Sequence, residues 1–230
     1  MPEPAIQRPR EIRSYVLRGG RITDAQQRAL QDLWPRFGLD FRGQPLDLDA
    51  LFGRDARRTI EIGFGNGANL LARAAAEPQE AFIGIEVHRP GVGRALLGAT
   101  DLPAGNLRVI NHDAIDVLTE QIPPGSIDEV QILFPDPWHK KRHHKRRLIQ
   151  PAFVDLVASR LRIGGILHVA TDWEPYAQHI SEVLRNCGQL QNVASGEFAE
   201  RPESRIVTRF ERRGTLLGHT VRDLLWRRSS

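Results

Sequence analysis

Five apolar runs of four to eight residues, at 59–62 (TIEI), 81–87 (AFIGIEV), 107–111 (LRVIN), 127–134 (IDEVQILF) and 165–170 (GILHVA), alternate along the chain with segments of helix-forming composition. Runs this short and this continuously apolar suit strands buried on both faces, and their alternation with helices calls for a parallel sheet covered on both sides. Helices are predicted over 68–76, 89–99, 151–161 and 175–185. The fold class is therefore α/β, a doubly wound sheet. An edge strand is predicted at 205–210 (RIVTRF), and a short amphipathic tail at 219–228.

Upstream of the first run, Thr23-Asp24-Ala25-Gln26 has the spacing of a capping box and opens a short helix that Trp34-Pro35 closes. Residues 36–57 are interrupted by Gly, Pro and Asp and read as a connecting segment, while residues 1–22 read as a mobile basic arm. The expected organisation is thus an arm, helix and connector over 1–57 and the sheet domain over 58–230. A chain of 230 residues accommodates one well-buried domain with such an appendage.

Several function classes drop out early. Cys187 is the single cysteine, which leaves no internal disulfide and no multi-cysteine zinc site; it reads as a small hydrophobe at a helix end. No apolar run approaches the ~20 residues that cross a bilayer, and the first residues lack a secretory pattern, so a cytoplasmic protein without membrane partners is expected. Net charge is +4, a mild excess whose distribution matters more than its size.

In doubly wound sheets ligands lie beyond the carboxyl ends of the strands. There, after the first run, stand Glu61 and the glycine turn Gly63-Phe64-Gly65-Asn66-Gly67, where missing Cβ atoms let a ligand approach the backbone. The G-x-G-x-G spacing is not that of the dinucleotide fingerprint G-x-G-x-x-G. Glu86 ends the second run, where a carboxylate accepts from ribose hydroxyls, and Asp113 follows the third, where it can accept from an adenine amino group. Together they point to an adenosine-type ligand, either a nicotinamide dinucleotide or S-adenosylmethionine.

After the fourth run the chain reads Phe134-Pro135-Asp136-Pro137-Trp138 and then nine consecutive Lys, Arg or His residues, 139–147. Flanking prolines stiffen the backbone at Asp136. Trp138 suits either stacking on a base or packing on the sheet. Six permanent cations in that run, close to the ligand rim, suit a phosphate backbone. Metal binding by His139 and His143 is disfavoured, because the run has no anionic ligand and its cations repel a metal ion. Thr171-Asp172 after the fifth run and Glu211 near the last add carboxylates around the same mouth.

The strings LRGGRIT, EIGFGNG, GIEVHRPG, FPDPWHKKRHHKRRL, GGILHVATDWEPYA and TRFERRGTLLGH resemble the tRNA (guanine-N7-)-methyltransferases over nearly the whole chain. The resemblance implies a Rossmann-like, S-adenosylmethionine-dependent methyltransferase fold with a mostly parallel seven-stranded sheet, helices on both faces and an antiparallel final strand. It implies an enzyme that uses S-adenosyl-L-methionine, releases S-adenosyl-L-homocysteine and methylates N7 of the variable-loop guanine of tRNA, as a monomer or homodimer. Carried onto this chain, it assigns Glu61, Gly63, Gly65, Gly67, Glu86, Asp113 and Asp136 to the cofactor, with Asp136 also catalytic. It assigns Lys140, Asp172, Thr208, Arg209, Phe210 and Glu211 to substrate, and Arg142, His143, His144, Lys145, Arg146 and Arg147 to an RNA-contacting loop.

Overall fold

The computed structural model describes residues 13–15, 20–53, 55–102, 105–216 and 218–230, without the side chains of Arg209, Phe210 and Arg213. Most of the basic arm predicted at 1–22 lies outside the described residues.

The first element among the described residues is α1 (Asp24–Asp32), opened by the expected capping box: Gln26 N donates to Thr23 Oγ1 at 3.3 Å and Thr23 N donates to Gln26 Oε1 at 2.9 Å. The segment read as a mere connection holds α2 (Trp34–Phe37), β1 (Gly38–Leu39) and α3 (Leu48–Phe52), which Asp47 caps. Then follow β2 (Arg58–Ile62), α4 (Ala68–Ala76), β3 (Ala81–Ile85), α5 (Arg89–Ala99), β4 (Leu107–Ile110), α6 (Ala114–Glu120) and β5 (Ile127–Leu133). A 3₁₀ turn at Lys141–Arg146 precedes α7 (Pro151–Arg160), β6 (Leu161–Thr171), α8 (Glu174–Arg185), β7 (Leu190–Asn192), α9 (Arg209–Leu216) and β8 (Arg222–Arg228).

The strands form one eight-stranded sheet in the order β1-β4-β3-β2-β5-β6-β8-β7, parallel from β1 to β6, with β8 antiparallel to both its neighbours. The strand beyond the expected seven is β1, two residues paired with Val109 and Ile110. Adjacent β2 and β5 mark the point where strand order reverses, and in such sheets the crevice at that point takes the ligand.

Two expectations near the carboxyl end are corrected. Residues 205–210 do not form an edge strand; they cross the rim irregularly and enter α9, because Arg205 is drawn fully inward and Thr208 Oγ1 accepts from Glu211 N at 3.1 Å as a helix cap. The 219–228 tail is instead mostly β8, inserted between β6 and β7, with Leu224 and Trp226 buried.

Two apolar clusters fill the space between sheet and helices. One gathers Ile60, Ile62, Ile83, Ile85, Val130 and Ile132; the other gathers Phe64, Leu70, Phe82, Val92 and Val109. Consecutive residues of β3 (Phe82 and Ile83) enter different clusters, as period-two side-chain alternation demands. In the middle strands, the residues alternating with the aliphatic ones are buried polar groups: Glu61 in β2, Glu129 and Gln131 in β5, His168 in β6. Glu61, Gln131 and His168 stand in one cross-strand row. No helix among the described residues is long and apolar enough to cross a membrane.

Candidate active site

The glycine turn follows β2 directly. Gly63, Gly65 and Gly67 have φ of +71°, +59° and +79°, a region that L side chains rarely occupy. A Cβ built on Gly63 or Gly65 would meet nothing within 4 Å, so both face open space, whereas one on Gly67 would stand 2.7 Å from Ala95 Cβ. The turn is braced from α5, where a Cβ on Gly91 would overlap Gly65 O.

Glu86 holds the turn from the other side. One carboxylate oxygen accepts from Gly65 N at 2.9 Å and the other from Val87 N and His88 N at 2.7 and 2.9 Å. Asp113 caps α6 through Ile115 N at 2.9 Å. Beside it, His112 stacks on Phe41 with ring centroids 3.9 Å apart.

Gly63, Glu86, Asp113 and Asp136 line a cavity of about 230 Å³, together with Ile85, Phe134, Ser14 and Tyr15. A second cavity, about 500 Å³, adjoins it through Tyr15, Val87, His112 and Asp113. Glu61 does not line either cavity. It is buried below the turn, where Asn69 Nδ2 donates to it at 2.9 Å and also to Gln131 Oε1 at 3.0 Å. Burial pushes the Glu61 carboxyl up to about 7, against the opposing pull of the Asn69 amide and the Arg73 charge.

Asp136 is presented differently. Phe134 and Trp138, at φ of +55° and +45°, are the two non-glycine residues with positive φ among the described residues. They bracket Pro135-Asp136-Pro137, and side chains in this region carry backbone strain characteristic of sites whose geometry the surroundings fix. Asp136 is exposed and has no hydrogen-bond or ion-pair partner among the described residues, in contrast to Glu86 and Asp113.

Trp138 packs at the base of the cationic loop. Its Nε1 donates to Ser14 O at 3.1 Å, and the Arg146 guanidinium lies 5.3 Å from its ring. Among the described residues no carboxylate pairs with Lys140, Lys141, Arg142, Lys145 or Arg146, and all but the half-buried Arg146 are exposed, as a phosphate-binding surface would require. His144 is half-buried, and its Nε2 lies 3.1 Å from Arg147 Nη2. The His143 imidazole is held below its ordinary range by desolvation and the surrounding cations. Arg147 departs from the expected role in the RNA-contacting loop. It is 4% exposed, donates from Nε to Pro137 O at 2.9 Å and lies 4.8 Å from the Tyr176 ring, so its charge anchors the loop from inside.

Across the mouth, Asp172 lies 3.4 Å from His219 Nδ1, and a Cβ on Gly214 of α9 would stand 2.8 Å from Asp172 Oδ2. Thr208 caps α9, and Glu211 is buried with both oxygens on the Arg205 guanidinium. The Arg209 and Phe210 side chains are outside the described residues.

Sequence reasoning passed over four contributors: Tyr15, Asn69, Gly91 and Arg205. Tyr15 carried a signal as the single aromatic residue of the first 22, and Gly91 closes the string GIEVHRPG, although no role was read from it there. Asn69 and Arg205 carried none, since each bridges a nearby carboxylate to a remote partner, Gln131 for Asn69 and Asp223 for Arg205.

The donor set suits an adenosyl sulfonium cofactor. Gly63 leaves open space at the cavity wall, and carboxylates at the ends of β3, β4 and β5 match ribose hydroxyls, an adenine amine and a cationic group.

The "Putative methyltransferase" family matches residues 55–224. A protein of Serratia proteamaculans named tRNA (guanine-N(7)-)-methyltransferase is 52% identical over 220 residues, 95% of this chain and 92% of its own. One of Sodalis glossinidius, with the same name, is 54% identical over 218 residues, 94% and 91% of the two chains. Among solved structures, the 16S rRNA methyltransferase KamB aligns with TM-score 0.57 and 16% identity over 80% of this chain and 93% of its own. The aminoglycoside resistance methyltransferase NpmB1 aligns with TM-score 0.56 and 18% identity over 79% and 92%. These two establish the fold, a Rossmann-like methyltransferase sheet. With relatives more than half identical over almost its whole length, the chain belongs to the tRNA (guanine-N7-)-methyltransferase family.

Proposed function

We infer that the protein transfers the methyl group of S-adenosyl-L-methionine to N7 of the variable-loop guanine of tRNA, forming 7-methylguanosine. The observation that carries this reading is the juxtaposition of a cavity lined by Gly63, Glu86 and Asp113, an Asp136 on its rim without a partner among the described residues, and a cationic loop beside it whose exposed charges no described carboxylate pairs.

Gly63, Glu86 and Asp113 would hold the cofactor, which supplies an electrophilic methyl on a sulfonium. Guanine N7 carries an in-plane lone pair and no proton, so no general base is needed. This chain contributes alignment and exclusion of water. A carboxylate that accepts from guanine N1–H and N2–H orients the ring, raises electron density toward N7 and offsets the charge arriving there. Asp136 is the carboxylate in the cavity wall with no competing partner among the described residues. Asp172 is the second candidate, while both Glu211 oxygens already accept from Arg205. Lys140, Arg142, Lys145 and Arg146 would grip the backbone on either side of an extruded base, giving affinity without sequence choice.

The test follows labelled methyl from S-adenosylmethionine into unmodified tRNA transcripts, with a variable-loop guanine-to-adenine transcript beside it. The expected result is 7-methylguanosine in the unaltered transcript alone. Absence of label despite cofactor binding refutes the reading. Asp136→Asn, assayed at saturating cofactor and tRNA, should slow turnover at least about a hundredfold, the scale of losing one oriented polar contact to a reacting group; unchanged turnover removes Asp136 from the role.

A further inference from the structure

Arg205 is a large side chain with no exposed surface, and it joins three parts of the site. Its Nε and Nη2 donate to Asp223 of β8 at 2.9 and 3.0 Å. Its Nη1 and Nη2 donate to Glu211 at 2.5 and 3.2 Å. Its guanidinium also lies 5.8 Å from the ring of Phe134, the strained residue that starts the Asp136 turn.

Each partner is itself fixed. Asp223 takes a further contact from His168 Nε2 at 2.7 Å, which ties the cluster to β6. The next residue after Arg205 is tied to the cofactor side, because Ile206 N donates to Asn69 Oδ1 at 3.2 Å and Asn69 in turn donates to Glu61. Two buried carboxylates with one guanidinium between them are a costly way to reach stability alone, since replacing such a cluster by apolar side chains is often neutral or favourable. What a fork with several fixed donors does provide is geometry.

We propose that Arg205 is a positioning residue for methyl transfer: by holding Glu211 to Asp223 and resting on Phe134, it sets the start of α9 at a fixed place relative to Asp136. It touches neither cofactor nor substrate and acts through Glu211. The proposal rests on the methyl-transfer reading above and adds the residue that aligns the two walls of the mouth.

The experiment compares Arg205→Lys, Glu211→Gln and the double variant with the unaltered protein in single-turnover methylation of tRNA at saturating cofactor and tRNA. Cofactor dissociation constants and unfolding midpoints are measured alongside. Lysine keeps the charge but not the fork, and glutamine keeps the shape of Glu211 but not its charge. Each single variant should lose at least about tenfold in rate while cofactor affinity stays within about twofold, and the double variant should be no slower than the worse single, as residues acting as one unit behave. A rate for Arg205→Lys within about twofold of the parent overturns the proposal. So do losses that multiply in the double variant, loss of cofactor binding, or a deficit that disappears well below the unfolding midpoint. If Arg205→Lys does not fold, Glu211→Gln decides alone, a parental rate again overturning it. Failure of the unaltered protein to methylate tRNA would refute the methyl-transfer reading instead.

Discussion

Replacing Glu61 by Gln should make the protein more stable in alkaline solution and change it little in acid. Burial under the glycine turn raises the Glu61 carboxyl from 4.5 to about 7. Between those values the folded chain keeps a proton that the unfolded chain has lost, so stability falls as pH rises; its contribution is fully present below the unfolded value and gone above the folded one. At about 1.4 kcal/mol per pH unit the whole change comes to about 3 kcal/mol. Gln is the neutral isostere and can still accept from Asn69 Nδ2, so the variant retains the protonated acid's contacts without its ionisation. Urea unfolding of both proteins without cofactor, at about pH 5 and about pH 8, gives the comparison as a difference of differences. Glu80, a perturbed acid that does not act on Glu61, is common to both proteins and cancels. The advantage of Glu61→Gln at the higher pH should exceed that at the lower by roughly 2–3 kcal/mol. An advantage that does not change with pH would refute the reasoning, for it would mean that water or a rearranged neighbour solvates the ionised carboxylate in the folded protein.

Gly91→Ala places a methyl group on top of Gly65 O, so the glycine turn has to move; cofactor affinity measured by calorimetry should drop at least about tenfold, although alanine is about 1 kcal/mol the better helix former. Neutralising Arg142 and Arg146 together should lessen the slope of log affinity for tRNA against log salt by roughly 0.7–0.9 for each phosphate no longer neutralised, alike for different tRNAs. Arg147→Gln should instead leave that slope unchanged and lower the unfolding midpoint, because its donors face Pro137 O and the Tyr176 ring.

The central strands were legible because each is a continuous apolar run bounded by turn residues, which is how a strand covered on both faces must read. The first helix was legible because Thr23 and Gln26 carry their capping contacts within four residues. The carboxyl end was not, and β8 shows why. Read locally, Arg222, Asp223, Arg227 and Arg228 argue against an interior strand. Asp223 is buried only because Arg205 and His168, 18 and 55 residues away, meet it there. The same remote pairing pulled 205–210 out of the alternation that had suggested a strand. At the site, motif position identified the carboxylates, but not their present partners: Glu86 engages the turn's own amides, and Glu61 lies behind the cavity. Arg147 shows the converse, a member of a cationic run whose burial no charge count reveals.

The insertion of β8 between β6 and β7 governs how this protein is made. β7 pairs with β8 and has no other strand neighbour among the described residues, so during synthesis it waits without that ladder until residues 222–228 have left the ribosome. Asp223 arrives in the same stretch, and until then Arg205 and His168 lack the acid that joins them. A nascent chain can assemble β2 to β6 and shape the cavity around Gly63, Glu86 and Asp113 early, yet the opposite wall of the mouth closes only with β8. Incomplete products of translation therefore carry the cavity lined by Gly63, Glu86 and Asp113 without the wall opposite it.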